Sequence, residues 1–400
     1  MSSTLLLVCS TCRSEADAYV EAVHRAGMQA ACLGTEAVLP GNADVSLLAS
    51  QLNVEEAVAA LEDWGGKVNG VLGVGLYGGV IASHLAMHLG FDGHTPGGVG
   101  ITANKERLLK RLERASIPLP EFETYSLPAL TPELLQSLSY PRILQPSMRK
   151  SVGQKVWLQD AQTAVSLIED DEAIRRIVGD SPSVVLEAAP HHSETMLLTG
   201  LTHQGQFYHL AFLDRMGPME GNEGEDTMFI APSEMSKQVL EKACRHTANA
   251  CATIGLDDGP VQALFRVVGD DVQLLDVAGH PLPASVARCF RFGRGMTLEE
   301  VHVRHALRME VDLTVNPDVG ATMWGVSQAR GQFFELTGVR DALNVLDVED
   351  VGTFLCPGQD ILPALEGGGA SHWISARGGD RKKVIEALGS ASEKVRLAVQ

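Results

Sequence analysis

Along the N-terminal part of the chain, short unbroken apolar runs alternate with stretches whose apolar positions recur every three or four residues. "TLLLVCS" (Thr4–Ser10) is continuously apolar, as a strand buried on both faces must be. "EADAYVEAVHRAG" (Glu15–Gly27) then has helical spacing and closes on glycine. The strand-like "MQAACLG", the helical "VEEAVAALEDWGGK", the strand-like "VNGVLGVG" and the helical "GGVIASHLAMHLG" repeat the alternation. This predicts a parallel sheet covered by helices on both faces and ending near Gly93.

The pattern then changes. Asn104 is placed to cap a helix running to about Ala115, which Pro118 and Pro120 stop. "RILQPS" and "QKVWLQD" predict a hairpin, and "AQTAVSLIEDDEAIRRIVG" a single helix. "SVVLEAAP", "TMLLTGLTHQG" and "QFYHLAFLDRM" read as strands of a larger sheet, followed by the acidic loop "MGPMEGNEGEDTMFIAPS" and the helix "SEMSKQVLEKACRHTANACATIG". "GPVQALFRVVG" and "DVQLLDVAGHPL" form a second hairpin, and from about Gly295 a separate α+β segment is expected.

The chain has 400 residues, enough for roughly two to three domains with ample core. Its 32 Lys+Arg against 50 Asp+Glu give a net charge of −18. That balance argues against a nucleic-acid partner, because neutralising phosphates needs clustered basic residues. "MSSTLLLVCSTC" has no basic n-region, and no apolar run approaches a membrane span. The expectation is a soluble, cytoplasmic protein with no membrane partner. Its seven cysteines fit reduced thiols rather than a disulfide framework.

Leu89-Gly90, Gly93, Asn104-Lys105 and Ile117-Pro118-Leu119-Pro120 follow one another in the order and at the spacing of a known entry motif. With them, the sequence resembles the ATP-grasp superfamily, in particular its carboxylate–amine ligases and biotin-carboxylase-like enzymes. The resemblance implies an α/β protein in three parts. These are a pre-ATP-grasp parallel-sheet domain (1–95), a two-lobed α+β ATP-grasp domain (96–294) with a small lid at about 121–184, and a C-terminal α+β region similar to biotin carboxylase (295–400). It also implies ATP and Mg²⁺ as cofactors, a carboxylate and an amine or thiol as substrates, and a homodimer or a complex with an active ligase partner.

The same resemblance assigns site residues. Lys105 matches the first family lysine, whose ammonium would meet the phosphates, and Gln145 stands where a second lysine is due. Ser151 and Gly153 remain in a phosphate loop short of glycine, although closing backbone N–H groups on a phosphate favours that residue. Glu187 and Glu194 match the two glutamates expected at adenine and ribose. At the metal end, Leu264 replaces a glutamate, Asp276 keeps a carboxylate, Ala278 replaces an asparagine and His280 an arginine. A slipped register would instead bring Gln262 or Asp271 to that end. Arg215 and the Gly217–Phe229 loop are expected near an acyl substrate.

These departures weigh on function because such chemistry consists mostly of positioning and charge neutralisation. The primary reading is an ATP-grasp-fold protein with lost or weakened ligase activity and a binding or partner-subunit role. The alternative is an active carboxylate–amine or carboxylate–thiol ligase with a rearranged metal site. Three other signals compete. "GVGLYG" (Gly73–Gly78) is a GxGxxG between strand and helix, which admits an NAD-dependent oxidoreductase, but it lies in the third strand unit. "CSTC" (Cys9–Cys12) resembles a redox pair, against which stand buried loop thiols. His84 and His88 lie one helical turn apart, without the nearby carboxylate a zinc site would favour.

Overall fold

Alternation along the first strand decides the N-terminal architecture. In the computed structural model, which describes residues 3–148, 155–189, 193–217, 227–363 and 369–400, Thr4–Cys9 is wholly buried. Leu5, Leu7 and Cys9 face the helix Arg13–Arg25 and its Tyr19, Val20 and Val23. Leu6 and Val8 face the opposite way, onto Leu61 of Val54–Trp64 and Ile81 and Leu85 of Leu76–Leu89. One strand therefore needs a helix on each side. The sheet runs in the order Val45–Leu48, Gln29–Gly34, Thr4–Cys9, Gly70–Val74, all parallel. The strand Val45–Leu48 escapes the sequence pattern because it is short and only Leu47 is buried.

The segment expected as a lid holds a four-stranded antiparallel sheet ordered Phe122–Ser126, Ser183–Ala188, Arg142–Pro146, Val156–Leu158. The expected hairpin is present as the last two of these strands, and its tip, with Ser151 and Gly153, lies outside the described residues. The single helix expected after it is two helices, Ala161–Glu169 and Asp171–Val178. Asp170 ends the first and caps the second, accepting the amides of Glu172 and Ala173 at 3.1 and 2.9 Å. A side chain that captures backbone donors this way competes with continued helix.

The large sheet has eight strands, beginning with the expected hairpin, Asp271–Ala278 paired with Gly259–Val268. Glu194–His203, Gln206–Met216 and Thr227–Ala231 follow in antiparallel pairing. The C-terminal strands Val319–Val326, Ala370–Gly378 and Val348–Thr353 continue this sheet instead of forming one of their own. The segment after Gly295 is thus joined to the preceding lobe by backbone hydrogen bonds. Its own small sheet holds Asp360–Ile361, Gly331–Thr337 and Arg396–Val399. Among the described residues, no helix is long and apolar enough to cross a membrane.

Candidate functional site

The entry helix starts where the sequence places it. Asn104 caps Lys105–Arg114 by accepting the Arg107 amide at 2.9 Å. This fixes Lys105 in the first turn, and its own amide bonds to the Ser147 carbonyl at 2.7 Å, joining the helix to the lid. Its side chain runs inward and is 2% exposed. The ammonium lies 2.7 Å from Glu187 Oε1 and also donates to the Leu275 carbonyl. Gln145 Nε2 donates to the same Glu187 oxygen at 2.9 Å. Sequence reasoning selected all three residues, and the structure brings them together. They meet one another in a buried and mutually satisfied cluster.

The metal end is also in the expected register. Leu264 pairs directly with Asp276, and Gln262 with Ala278, so neither Gln262 nor Asp271 slips into Leu264's place. Leu264, Asp276, Ala278 and His280 all line a cavity of about 1070 Å³. Of the expected oxygen ligands at this end, Asp276 is the one retained. Leu264 offers no donor atom, and Ala278 no side-chain oxygen. Magnesium binds oxygen in near-octahedral geometry, through carboxylates helped by phosphates. The donor set does not fit that ion well, and Lys105, already paired with Glu187, does not present a free ammonium to a phosphate.

The remaining expected residues scatter. Glu194 is exposed at the start of its strand, opposite Val267, and lies off the cavity wall. Arg215 is half-buried, facing Thr195 and Phe229 across the sheet, and is likewise not part of that wall. Ser151, Gly153 and most of the loop after Gly217 fall outside the described residues.

The other walls of the cavity come from elements distant in sequence. The turn after the first parallel strand contributes Thr11 and Cys12, and the first turn of Arg13–Arg25 contributes Glu15. Burial pushes the Glu15 carboxyl up to about 7, and the nearby Glu299 charge adds to the rise. The C-terminal region contributes Trp324 and Phe354, stacked edge-on with centroids 5.6 Å apart. Trp324 is fixed further by Phe229 at 4.9 Å and by its indole N–H donating to Ser285 Oγ at 3.1 Å. Among the described residues the wall carries Glu15, Asp276, Asp360 and His280, and no lysine or arginine. Sequence reasoning missed Glu15, Trp324 and Phe354.

A second cavity, of about 320 Å³, lies where the parallel sheet, the hairpin and the helix Leu298–Ala306 meet. Asp258 and His305 of its lining, with His203 beside them, place ligand atoms within 4.8 Å of one another, an arrangement able to hold a metal ion. Arg308 already supplies a cation, with Nη1 2.9 Å from Asp258 Oδ1 and Nη2 3.2 Å from Asp92. Burial would raise the Asp258 carboxyl, but hydrogen bonds from His305 and Arg308 outweigh it and hold the group well below the usual range. The network therefore acts as a tie between segments.

The competing motifs have structural roles. A Cβ on Gly73 would come 2.5 Å from the Gly78 carbonyl, and one on Gly78 would come 2.3 Å from that of Val8. Ser10 Oγ takes the Gly78 amide at 2.7 Å. Helix-to-strand packing thus accounts for these glycines. All seven cysteines are free thiols, with Cys9 buried in its strand and Cys12 on the cavity wall. His84 is half-buried and His88 exposed, the latter 3.9 Å from Glu62.

Whole-chain comparison with solved structures agrees with the architecture. An L-amino acid ligase from Bacillus licheniformis is 15% identical, with a TM-score of 0.80 over 100% of this chain and 99% of that one. Carboxyaminoimidazole ribonucleotide synthase from Aspergillus clavatus, complexed with ATP, is 14% identical, with a TM-score of 0.74 over 98% and 99%. The biotin carboxylase domain of Hydrogenobacter thermophilus 2-oxoglutarate carboxylase, a dimer complexed with MgADP and bicarbonate, is 13% identical, with a TM-score of 0.72 over 100% and 91%. No family model matches the sequence, and no curated protein matches it. The chain has the ATP-grasp fold along its whole length, in the biotin-carboxylase-like arrangement.

Proposed function

We propose that this ATP-grasp-fold chain has lost, or retains only weakly, the ligase chemistry of the enzymes it is similar to, and that it binds a small molecule in its central cavity. The single observation carrying this reading is Leu264 opposite Asp276 on the cavity wall, an apolar side chain where a second carboxylate would be needed. The Lys105–Glu187–Gln145 cluster supports it, because freeing that ammonium for a phosphate would strand a buried carboxylate. Each missing charge contact costs a few kcal/mol of transition-state stabilisation, so several together remove decades of rate. Under this reading residues 1–95, 96–294 and 295–400 serve as walls of one binding site. The chain works in the cytoplasm as a homodimer or beside an active ligase.

The alternative, an active ligase with a rearranged metal site, is favoured by one feature: Asp276 is retained on the cavity wall. An ADP-release assay over pairs of carboxylates and amines separates the two. The binding reading expects no release above background across the panel. Sustained, pair-dependent ADP formation would establish the alternative.

A further inference from the structure

A phosphate- or carboxylate-bearing ligand needs cations or directed N–H groups to replace the water it loses on burial. The described wall of the central cavity offers neither lysine nor arginine, and it presents carboxylates from three separate elements, Glu15, Asp276 and Asp360. Glu15 and Asp276 are half-buried and Asp360 is exposed. Glu15 stands in the first turn of Arg13–Arg25, near the further buried carboxylate of Glu299, whose charge raises its pKa. An incoming anion would be repelled there. A cation would relieve a cost that the apo protein already bears.

Another part of the same wall is aromatic and rigid. Trp324 and Phe354 belong to a run that continues on one side to Phe229 and on the other to Trp373, centroids 4.9 Å from their neighbours at both ends. The indole N–H of Trp324 is held by Ser285, and that of Trp373 by Asp350 at 2.6 Å. The rings are therefore fixed before any ligand arrives. Leu197, Leu264 and Leu282 add aliphatic wall. Aromatic faces and carboxylates on the wall of one cavity both attract organic cations electrostatically, and pre-organisation lowers the cost of that contact. At about 1070 Å³ the cavity is far larger than an ammonium group alone, so the ligand must bring an apolar body.

We propose that the central cavity takes a hydrophobic organic ammonium, with the charged group toward Glu15 and the apolar body along the Trp324–Phe354 wall. This rests on the cavity being a binding site, as proposed above, and adds the chemical class of its ligand. The test uses the full chain and three probes that share one aromatic skeleton: phenethylamine, phenethyl alcohol and hydrocinnamate, titrated by calorimetry at pH 8. The amine is expected to bind at least about tenfold more tightly than either of the others, the strength of one favourable charge contact. Glu15→Gln should bring the amine to within about twofold of the alcohol, while Trp324→Leu should weaken the amine about fivefold. Hydrocinnamate binding as tightly as the amine, or full amine preference in Glu15→Gln, would overturn the ligand class and leave a binding protein. Absence of binding by all three probes at millimolar concentration would also overturn it. Amine-stimulated ADP release would leave the ligand class standing and remove the reading of lost ligation.

Discussion

Two regions that an ATP-grasp ligase would use together have gone opposite ways in this chain. Around Lys105, charge is enclosed and matched: ammonium, carboxylate and amide pack with each side chain at most 5% exposed. Around Asp276, the described residues line an open cavity, and Leu264 and Ala278 beside it are apolar. The first region is organised as a piece of core, the second as a receptacle. A phosphate site needs the reverse at the first region, an ammonium left wanting a partner. Under the proposed function, charge that has found an internal partner contributes to the fold and is withdrawn from ligand binding.

The largest expected effect follows from that enclosure. Lys105→Met should destabilise the protein by about 3–5 kcal/mol in denaturant unfolding, because Glu187 becomes a buried and uncompensated charge. Adding Glu187→Leu should recover much of the loss. A Lys105→Met variant of near-native stability would show that the ammonium is not committed to the core, and the contrast would collapse.

The next effect is smaller and depends on pH. Glu15 is raised from 4.5 to about 7, so its contribution to stability is complete below pH 4.5 and is lost as pH rises through about 7. Glu15→Gln should therefore gain a few degrees in Tm over the native chain at pH 8, an advantage that shrinks toward pH 5. An advantage that is flat with pH, or that grows as pH falls, would place Glu15 in a wetter and less acidic setting than the cavity wall described here.

The smallest effect tests the receptacle. Leu264 is half-buried and faces the cavity, so Leu264→Glu should cost no more than about 1 kcal/mol. In a dry core the same change would cost several times that, because an isolated buried charge is severely penalised. A variant that unfolds would make Leu264 part of the core.

Much of this was legible in the sequence because independent signals agreed. Apolar runs, helical spacing and the Asn104 cap each point to the same elements, whereas the Leu264–Asp276 pairing depends on a one-residue register shift between Leu264 and Phe265 that strand alternation from the Gly269-Asp270 turn does not reveal. The break at Asp170 was hidden because apolar spacing continues across "IEDDEAIR", although an aspartate before an acidic first turn is a capping signal. The partnership of Lys105 with Glu187 was not legible: each fits a nucleotide role alone, and only the folded lid brings them together. Glu15 reads as an ordinary acidic residue in a first helical turn. Its raised pKa comes from burial and from the charge of Glu299, a residue remote in sequence. Trp324 and Phe354 carry no motif, and become a wall only once the C-terminal strands extend the large sheet.

The most direct test of the account is calorimetric titration of Mg·ATP into the native chain and into Leu264→Glu/Ala278→Asn, which restores a carboxylate and an amide oxygen to the hairpin. The account predicts no magnesium-dependent binding by the native chain at millimolar nucleotide, and measurable magnesium-dependent binding by the variant. Tight, magnesium-dependent binding of ATP by the unmodified protein would contradict it.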